Sequence, residues 1–265
     1  MAAAWLACQD QKGSGAAMDN SLLINLSGQL SAYQAMDIIA NNLANMSTPG
    51  FKREGMKFQE FLSSVPPTTT ATGIQNNAPL AFVQNGGVFR DVSEGPMDKT
   101  GAPFDLAISG NGFFQVQTPN GVRYTRDGHF QLNSQGQIVD DNGYPLVGDG
   151  GPITVTPQDG DIHVAADGTV SGTLGQLGTI KIVGFASQSA MSQQGSNLYA
   201  TSQQPQPNPG GTIEQGMLEG SNVQPVMEMS TMIEIMRKYE MIASLTKSQQ
   251  QLQTQAITQL GTIQP

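Results

Sequence analysis

Residues 226–260 read VMEMSTMIEIMRKYEMIASLTKSQQQLQTQAITQL, 35 positions without a Gly or a Pro. A helix of that length spans about 50 Å at about 1.5 Å per residue. One stripe along it runs Ile235, Tyr239, Ile242, Leu245, Gln249, Leu252, Ala256 and Leu260, in steps of three and four that fit a coiled-coil-like seam better than a strand. Such a stripe needs a partner, and the other end of the chain offers one. Leu26, Leu30, Tyr33, Met36, Ala40 and Leu43 repeat the spacing within a helix expected over residues 20–45, which must stop before Thr48-Pro49-Gly50. The expectation is an antiparallel pair of terminal helices. Two core helices of an ordinary globular domain are the bland reading, but unbroken helices past about 25 residues point to coiled coils or arrays. Gln249 in the seam would leave an isolated pair only marginally stable.

Between the helices the pattern changes. Asn-Gly or Asp-Gly pairs begin at Asn85, Asn111, Asn120, Asp127, Asn142, Asp149, Asp159 and Asp167, the usual chemistry of tight hairpins. Short β-branched or aromatic runs lie among them at 113–117, 122–125, 129–132, 137–139, 153–156, 162–164 and 179–185. The fold class expected is α+β: a β-rich centre of antiparallel sheets or a small barrel, with long N- and C-terminal helices packed together. Residues 18–62 and 216–265 are expected to form the helical assembly domain and residues 85–200 the β-rich outer domain. Residues 63–84 are expected as a loop and 201–215, with Pro205, Pro207 and Pro209, as a linker.

The 265 residues, 38% hydrophobic and 6% aromatic, support a core, though a lean one. Net charge is −9, and residues 61–220 hold 13 acids against 5 bases, so nucleic acid is excluded as a partner for want of a basic face. The single cysteine, Cys8, cannot form an intramolecular disulfide. No apolar run reaches the length of a membrane-spanning helix, so no direct membrane insertion is expected. Ala2 to Cys8 superficially resembles a lipoprotein cleavage site, but it lacks a basic start and its apolar run is short. Met18 precedes Asp19, Asn20 and Ser21, all suited to capping a helix, and is expected as the natural start. Residues 1–17 would then be a disordered extension or the product of a misassigned start.

Catalytic and metal-binding patterns are missing. His129 and His163 have no His or Cys at ligand spacing. Asp140-Asp141-Asn142-Gly143 lacks the spaced ligands of a calcium loop and reads as a turn. Gly172, Gly175 and Gly178 do not form a phosphate-binding fingerprint. Carboxylate pairs for glycoside hydrolysis meet only in space, and nothing in the sequence favours them. The reading is therefore a non-enzyme with no cofactor.

Three strings carry a family resemblance. Residues 40–54, ANNLANMSTPGFKRE, resemble the N-terminal motif of the flagellar rod and hook protein family. Residues 219–240, EGSNVQPVMEMSTMIEIMRKYE, resemble its C-terminal motif, with Gln224 where Asn or Asp is commoner. Between them, Phe104-Asp105-Leu106-Ala107-Ile108, Gly110-Asn111-Gly112-Phe113-Phe114 and Tyr124-Thr125-Arg126-Asp127-Gly128 with Phe130 resemble the central one. The resemblance runs from Met18 to the C-terminus. It implies a structural rod subunit of the bacterial flagellar basal body, whose terminal helices form the inner tube of a helical assembly and whose β-rich middle forms the outer layer. Partners implied are further copies of itself, other rod subunits and the flagellar type III export apparatus, with export proceeding without a cleaved signal and the rod crossing the periplasm. Within the family the resemblance favours a subunit of the proximal rod, with the distal rod as the close alternative; a secreted β-domain that binds a ligand or glycan is the competing reading outside it.

The assembly interface expected on this basis comprises Leu26, Leu30, Tyr33, Asn41, Asn42, Asn45, Gly50, Phe51, Asn222, Val223, Met229, Met232, Ile235, Arg237, Tyr239 and Leu252. Asn41, Asn42 and Asn45 have a bland reading as a solvated helix face; the family motif favours hydrogen bonding between subunits. Gly50 permits the chain to turn and Phe51 to dock beside the helix. Arg237 and Glu240 are either merely exposed or paired between neighbouring helices.

Overall fold

The computed structural model describes residues 3–63, 80–187, 191–195, 197–207 and 210–261. The fold is α+β, with two compact units. One unit comprises Met1–Asn41, Gly55–Phe89 and Val226–Pro265; the other comprises Asn42–Glu54 and Arg90–Pro225.

The first unit is built on two helices, α1 (Ala3–Ala44) and α2 (Pro225–Gly261). Helix α1 starts well before Met18, so the backbone of residues 3–17 is helical where a disordered extension was expected. The alanines at 3, 4, 7, 16 and 17 favour helix strongly enough to carry Gly13 and Gly15. The helices run antiparallel: Asn25 Nδ2 donates to Gln249 Oε1 at 3.2 Å, and three residues on, Gly28 faces Ile242. A Cβ on Gly28 would sit 3.3 Å from Ile242 Cδ1, so the glycine allows the close approach.

The faces that turn inward differ from those the spacing suggested. On α1 the best-buried side chains of this unit are Ser31, Ala35 and Ile39, while Leu26, Leu30 and Tyr33 are about half exposed or more. On α2 the half-buried positions include Met232, Ile235, Ile242, Thr246 and Gln249, while Tyr239, Leu245 and Leu252 are exposed. Small residues, Gly28, Ser31 and Ala35, occupy much of the inward face of α1 together with Ile39, while Leu23, Leu26, Leu30 and Tyr33 point outward. Strands β1 (Glu54–Ser63) and β2 (Leu80–Arg90) pair with each other, so both flanks of the expected 63–84 loop are strand; the loop's interior, 64–79, lies outside the described residues.

Among the described residues, the regular structure of the second unit is β apart from the ends of the two helices and one short 3-10 turn. Strands β3 (Met97–Lys99) and β4 (Leu106–Ser109) receive the returning chain. Thr212–Gln215 lies antiparallel to β4, pairing Ile213 with Ile108, and Met217–Glu219 lies antiparallel to β3, pairing Glu219 with Met97. Residues 201–215 are therefore not the linker expected: they supply a core strand with Ile213 buried. Residues 216–225 likewise belong to this unit and not to the helical one. Strands β5 (Phe114–Thr118) and β6 (Gly121–Thr125) form a hairpin across Pro119-Asn120, extended by Tyr199–Ala200 and Ser192–Gln193 into a four-stranded sheet. His163–Val164, Thr169–Gly172 and Gly175–Thr179 form an antiparallel meander.

Leu106, Ile108, Phe114, Val116, Phe130, Ile138, Leu146, Ile153, Val170, Ile180 and Ile213 make the main core. Phe113, Tyr124, Val183, Phe185, Met191 and Tyr199 make a second cluster, in which Phe113 meets Tyr199 edge-on with ring centroids 5.9 Å apart. Gly128 of the Asp127-Gly128 pair serves close approach: a Cβ there would fall 1.5 Å from the Leu106 carbonyl oxygen.

Candidate assembly surface and a buried charge cluster

The expected interface residues separate into two groups. Leu26, Leu30, Tyr33, Asn41, Met229, Arg237, Tyr239 and Leu252 are exposed, and Asn45, Asn222, Met232 and Ile235 are half-buried. Asn42, Gly50, Phe51 and Val223 are buried inside the chain and are not available to another subunit. Their contacts are internal to the second unit.

Asn42 lies at the end of α1 and bonds the backbone of Glu54 twice. Its Nδ2 donates to the Glu54 carbonyl at 2.8 Å, and the Glu54 N–H donates to its Oδ1 at 2.9 Å. A side-chain amide thus does what a neighbouring strand does, and the hydrogen bonding expected between subunits is satisfied within one. Gly50 has φ +65°, and its N–H donates to the Glu219 carbonyl at 2.7 Å. Its neighbour Phe51 is 1% exposed. Asn222 works like Asn42: its Oδ1 accepts from the Arg53 N–H at 2.6 Å, and its Nδ2 donates to the carbonyls of Asp91 and Ser93 at 2.9 and 3.0 Å.

Beneath these contacts lies a group of ionised side chains that sequence reasoning missed. Glu219 is buried, with Lys52 Nζ 2.5 Å from its Oε1 and Arg126 Nη1 3.1 Å from its Oε2. The Gly95 N–H also donates to Oε1, at 3.0 Å. Lys52 donates further to the Ser93 carbonyl at 2.7 Å, and Arg126 to the carbonyls of Ile108 and Gly110 at 2.9 and 2.5 Å. Lys52 and Arg126 are 2% and 3% exposed, so one carboxylate compensates two cations out of water. Burial pulls the Lys52 pKa below the usual lysine range, and Glu219 pulls it partly back. Removing one partner of a buried pair typically costs about 3–5 kcal/mol. The available signal was that each of the three charges falls inside one of the family-like strings; their meeting was not predictable from spacing.

A second cluster surrounds His129. Its Nδ1 lies 2.9 Å from Asp105 Oδ1 and its Nε2 3.7 Å from Asp141 Oδ1. The hydrogen bond to Asp105 raises the imidazole pKa. Burial, reinforced by Asp141 and Asp140, pushes Asp127 up to about 6. Asp140 accepts the N–H groups of Asn142 and Tyr144 at 3.0 and 2.7 Å, the hydrogen bonding of a turn. Among the described residues no group of three His, Cys, Asp or Glu is placed to hold a metal ion, and no helix is long and apolar enough to cross a membrane.

Family models match three stretches: one described as "Flagella basal body rod protein" over residues 22–52, one as "Flagellar hook protein FlgE/F/G D1 domain" over 107–172, and one as "Flagellar basal body rod FlgEFG protein C-terminal" over 214–260. The flagellar basal-body rod protein FlgF of Caulobacter vibrioides is 43% identical over 249 residues, covering 93% of this chain and 100% of that protein. The chain belongs to the flagellar basal-body rod protein family. FlgF of Mesorhizobium japonicum is 32% identical over 92% of the chain and 99% of its own length. The rod protein FlgG of Buchnera aphidicola from Acyrthosiphon pisum is 36% identical over 88% of the chain and 97% of its own length. Each matched rod-family stretch contributes one member of the buried triad: Lys52, Arg126 and Glu219.

Proposed function

We propose that this chain is a structural subunit of the bacterial flagellar basal-body rod, in its proximal part, and that it helps transmit torque from motor to hook for motility. The observation that carries this reading is end-to-end similarity to FlgF proteins, joined to bulky apolar side chains left exposed on both terminal helices. Those faces suit packing against further copies of the chain and against rod subunits of the FlgG, FlgB and FlgC type. Contacts of this head-to-tail kind, when they do not close, build a helical assembly. The interface comprises Leu26, Leu30, Tyr33, Met229, Met232, Ile235, Arg237, Tyr239 and Leu252, flanked by Asn41 and Asn45. The subunit reaches the rod, which crosses the periplasm, through the flagellar type III export apparatus without a cleaved signal.

An in-frame chromosomal deletion tests the role. Loss of swimming with rod assembly arrested before the hook, restored by a plasmid copy, is the expected result. Normal flagella in the deletion strain would overturn it. Basal bodies arrested with a complete proximal rod would move the subunit to the distal rod, the place taken by FlgG in this reading.

A further inference from the structure

We infer that the Lys52–Glu219–Arg126 triad is a latch that closes last in folding, so that the β-rich unit becomes complete only when its final strand, Met217–Glu219, docks. Glu219 is 167 residues from Lys52 and 93 from Arg126. Joining them closes long loops, whereas β5 with β6 and the meander of 163–179 close short ones. Local hairpins therefore form first, and the distant ends follow. Until Glu219 arrives, Arg126 and Lys52 lack the carboxylate that hydrogen-bonds both of them, the exposed Glu94 acting on Lys52 only through space, and an unpaired buried cation is strongly disfavoured. The same docking event engages Gly95 N–H through Glu219 Oε1, Gly50 N–H through the Glu219 carbonyl, and Arg53 N–H through Asn222. One short segment thereby fixes residues 50–53 and 91–95 together. If the chain is exported from its N-terminus, which rests on the function proposed above, Glu219 leaves after nearly all of this unit, Lys52 and Arg126 included, and closure waits for its exit.

Pulse-labelling hydrogen exchange during refolding of the full chain from urea tests the order. Amides of β5, β6 and 163–179 are expected to gain protection before those of Gly50, Arg53 and Gly95; simultaneous or earlier protection of the latter three would overturn the latch. Glu219→Gln is expected to raise the unfolding rate on the order of 100-fold and to change the refolding rate less than about twofold, the partition of a contact absent from the transition state. An equal loss in the refolding rate would make the triad a nucleus and sink the proposal. If Glu219→Gln does not fold, Glu219→Asp, which keeps the charge and shifts the carboxylate, is read for the same partition. Adding Lys52→Met to the Glu219 variant should recover at least about tenfold in the unfolding rate, since one buried cation is removed; no recovery would refute the charge account. These measurements are made on the isolated chain, so they fail or succeed independently of the rod role.

Discussion

Asn42 shows how a single side chain anchors a segment. With both ends of its amide on Glu54, it holds the first residue of β1 to the end of α1. Asn42→Ala leaves the Glu54 N–H and carbonyl unmet and is expected to cost about 2–3 kcal/mol, read from the midpoint of urea unfolding; an unchanged midpoint would exclude Asn42 as an anchor. Gly50→Ala meets two obstacles, a positive φ and a Cβ placed 2.4 Å from the Arg126 carbonyl carbon, and is expected to be still more disruptive. The strings 40–54 and 219–240 identified the right neighbourhood in the sequence, but not the direction in which their residues work. An amide on a helix face looks the same whether it bonds a neighbouring subunit or its own chain, and only the returning backbone decides. The His129 cluster makes a pH prediction with a definite sign. Asp127 has a folded pKa of about 6, above its ordinary 3.8, so the folded chain holds a proton that the unfolded chain loses, and stability falls as pH rises through about 6. His129 is also raised, so its contribution is full below its unfolded value and is lost as pH rises through the folded one. Thermal stability should therefore rise as pH falls from 8 to about 5.5. Asp91, Asp159 and Asp167, held below their ordinary values by hydrogen bonds from Ser93, Thr156 and Thr169, lose their stabilising contribution at lower pH still. A melting series with Asp127→Asn should flatten the upper limb; an unaltered limb would exclude the cluster as its source.

At the scale of elements, α2 was legible because 35 residues without Gly or Pro admit little else, and the 20–44 part of α1 through its apolar steps of three and four up to the Thr48-Pro49-Gly50 breaker. Which face of each helix turns inward was not. Apolar residues lie on more than one side of α1, and the pairing favours the small ones, Gly28, Ser31 and Ala35, because they let backbones approach. Gly28→Val is accordingly expected to loosen the pair, detected as faster amide exchange around Asn25 and Gln249; unchanged protection would mean that the helices do not meet there. Strands flanked by Asn-Gly turns were found near their observed positions, as with β5 and β6. Thr212–Gln215 was hidden by the prolines and glycines before it, and Met97–Lys99 was too short to register as a strand. Both acquire their conformation from a partner distant in sequence, which no local window contains.

For the whole molecule, the division of the chain matters more than its element count. The β-rich unit includes Asn42–Glu54 as well as Arg90–Pro225, so a fragment of residues 85–215 would lack Lys52 and Glu219 and leave Arg126 unmatched. Such a fragment is expected to show no cooperative thermal transition; a sharp one would show that the ends are dispensable. Assembly makes the complementary prediction. Leu30→Glu and Met236→Glu lie on exposed helix faces and should leave the subunit's melting temperature within a few degrees of normal while abolishing swimming. Retained motility in both would exclude those faces from the rod contact.

The antiparallel pairing of β3 and β4 with Met217–Glu219 and Thr212–Gln215 places the entry and exit of the long β segment side by side. A polypeptide that leaves from the point at which it entered can gain or lose material in between without disturbing what lies on either side. The length of the segment between those strands is thus free to diverge. A short epitope grafted at Leu174, exposed in the hairpin between Thr169–Gly172 and Gly175–Thr179, should leave the pairing of the terminal helices undisturbed and be reached by antibody on the folded subunit.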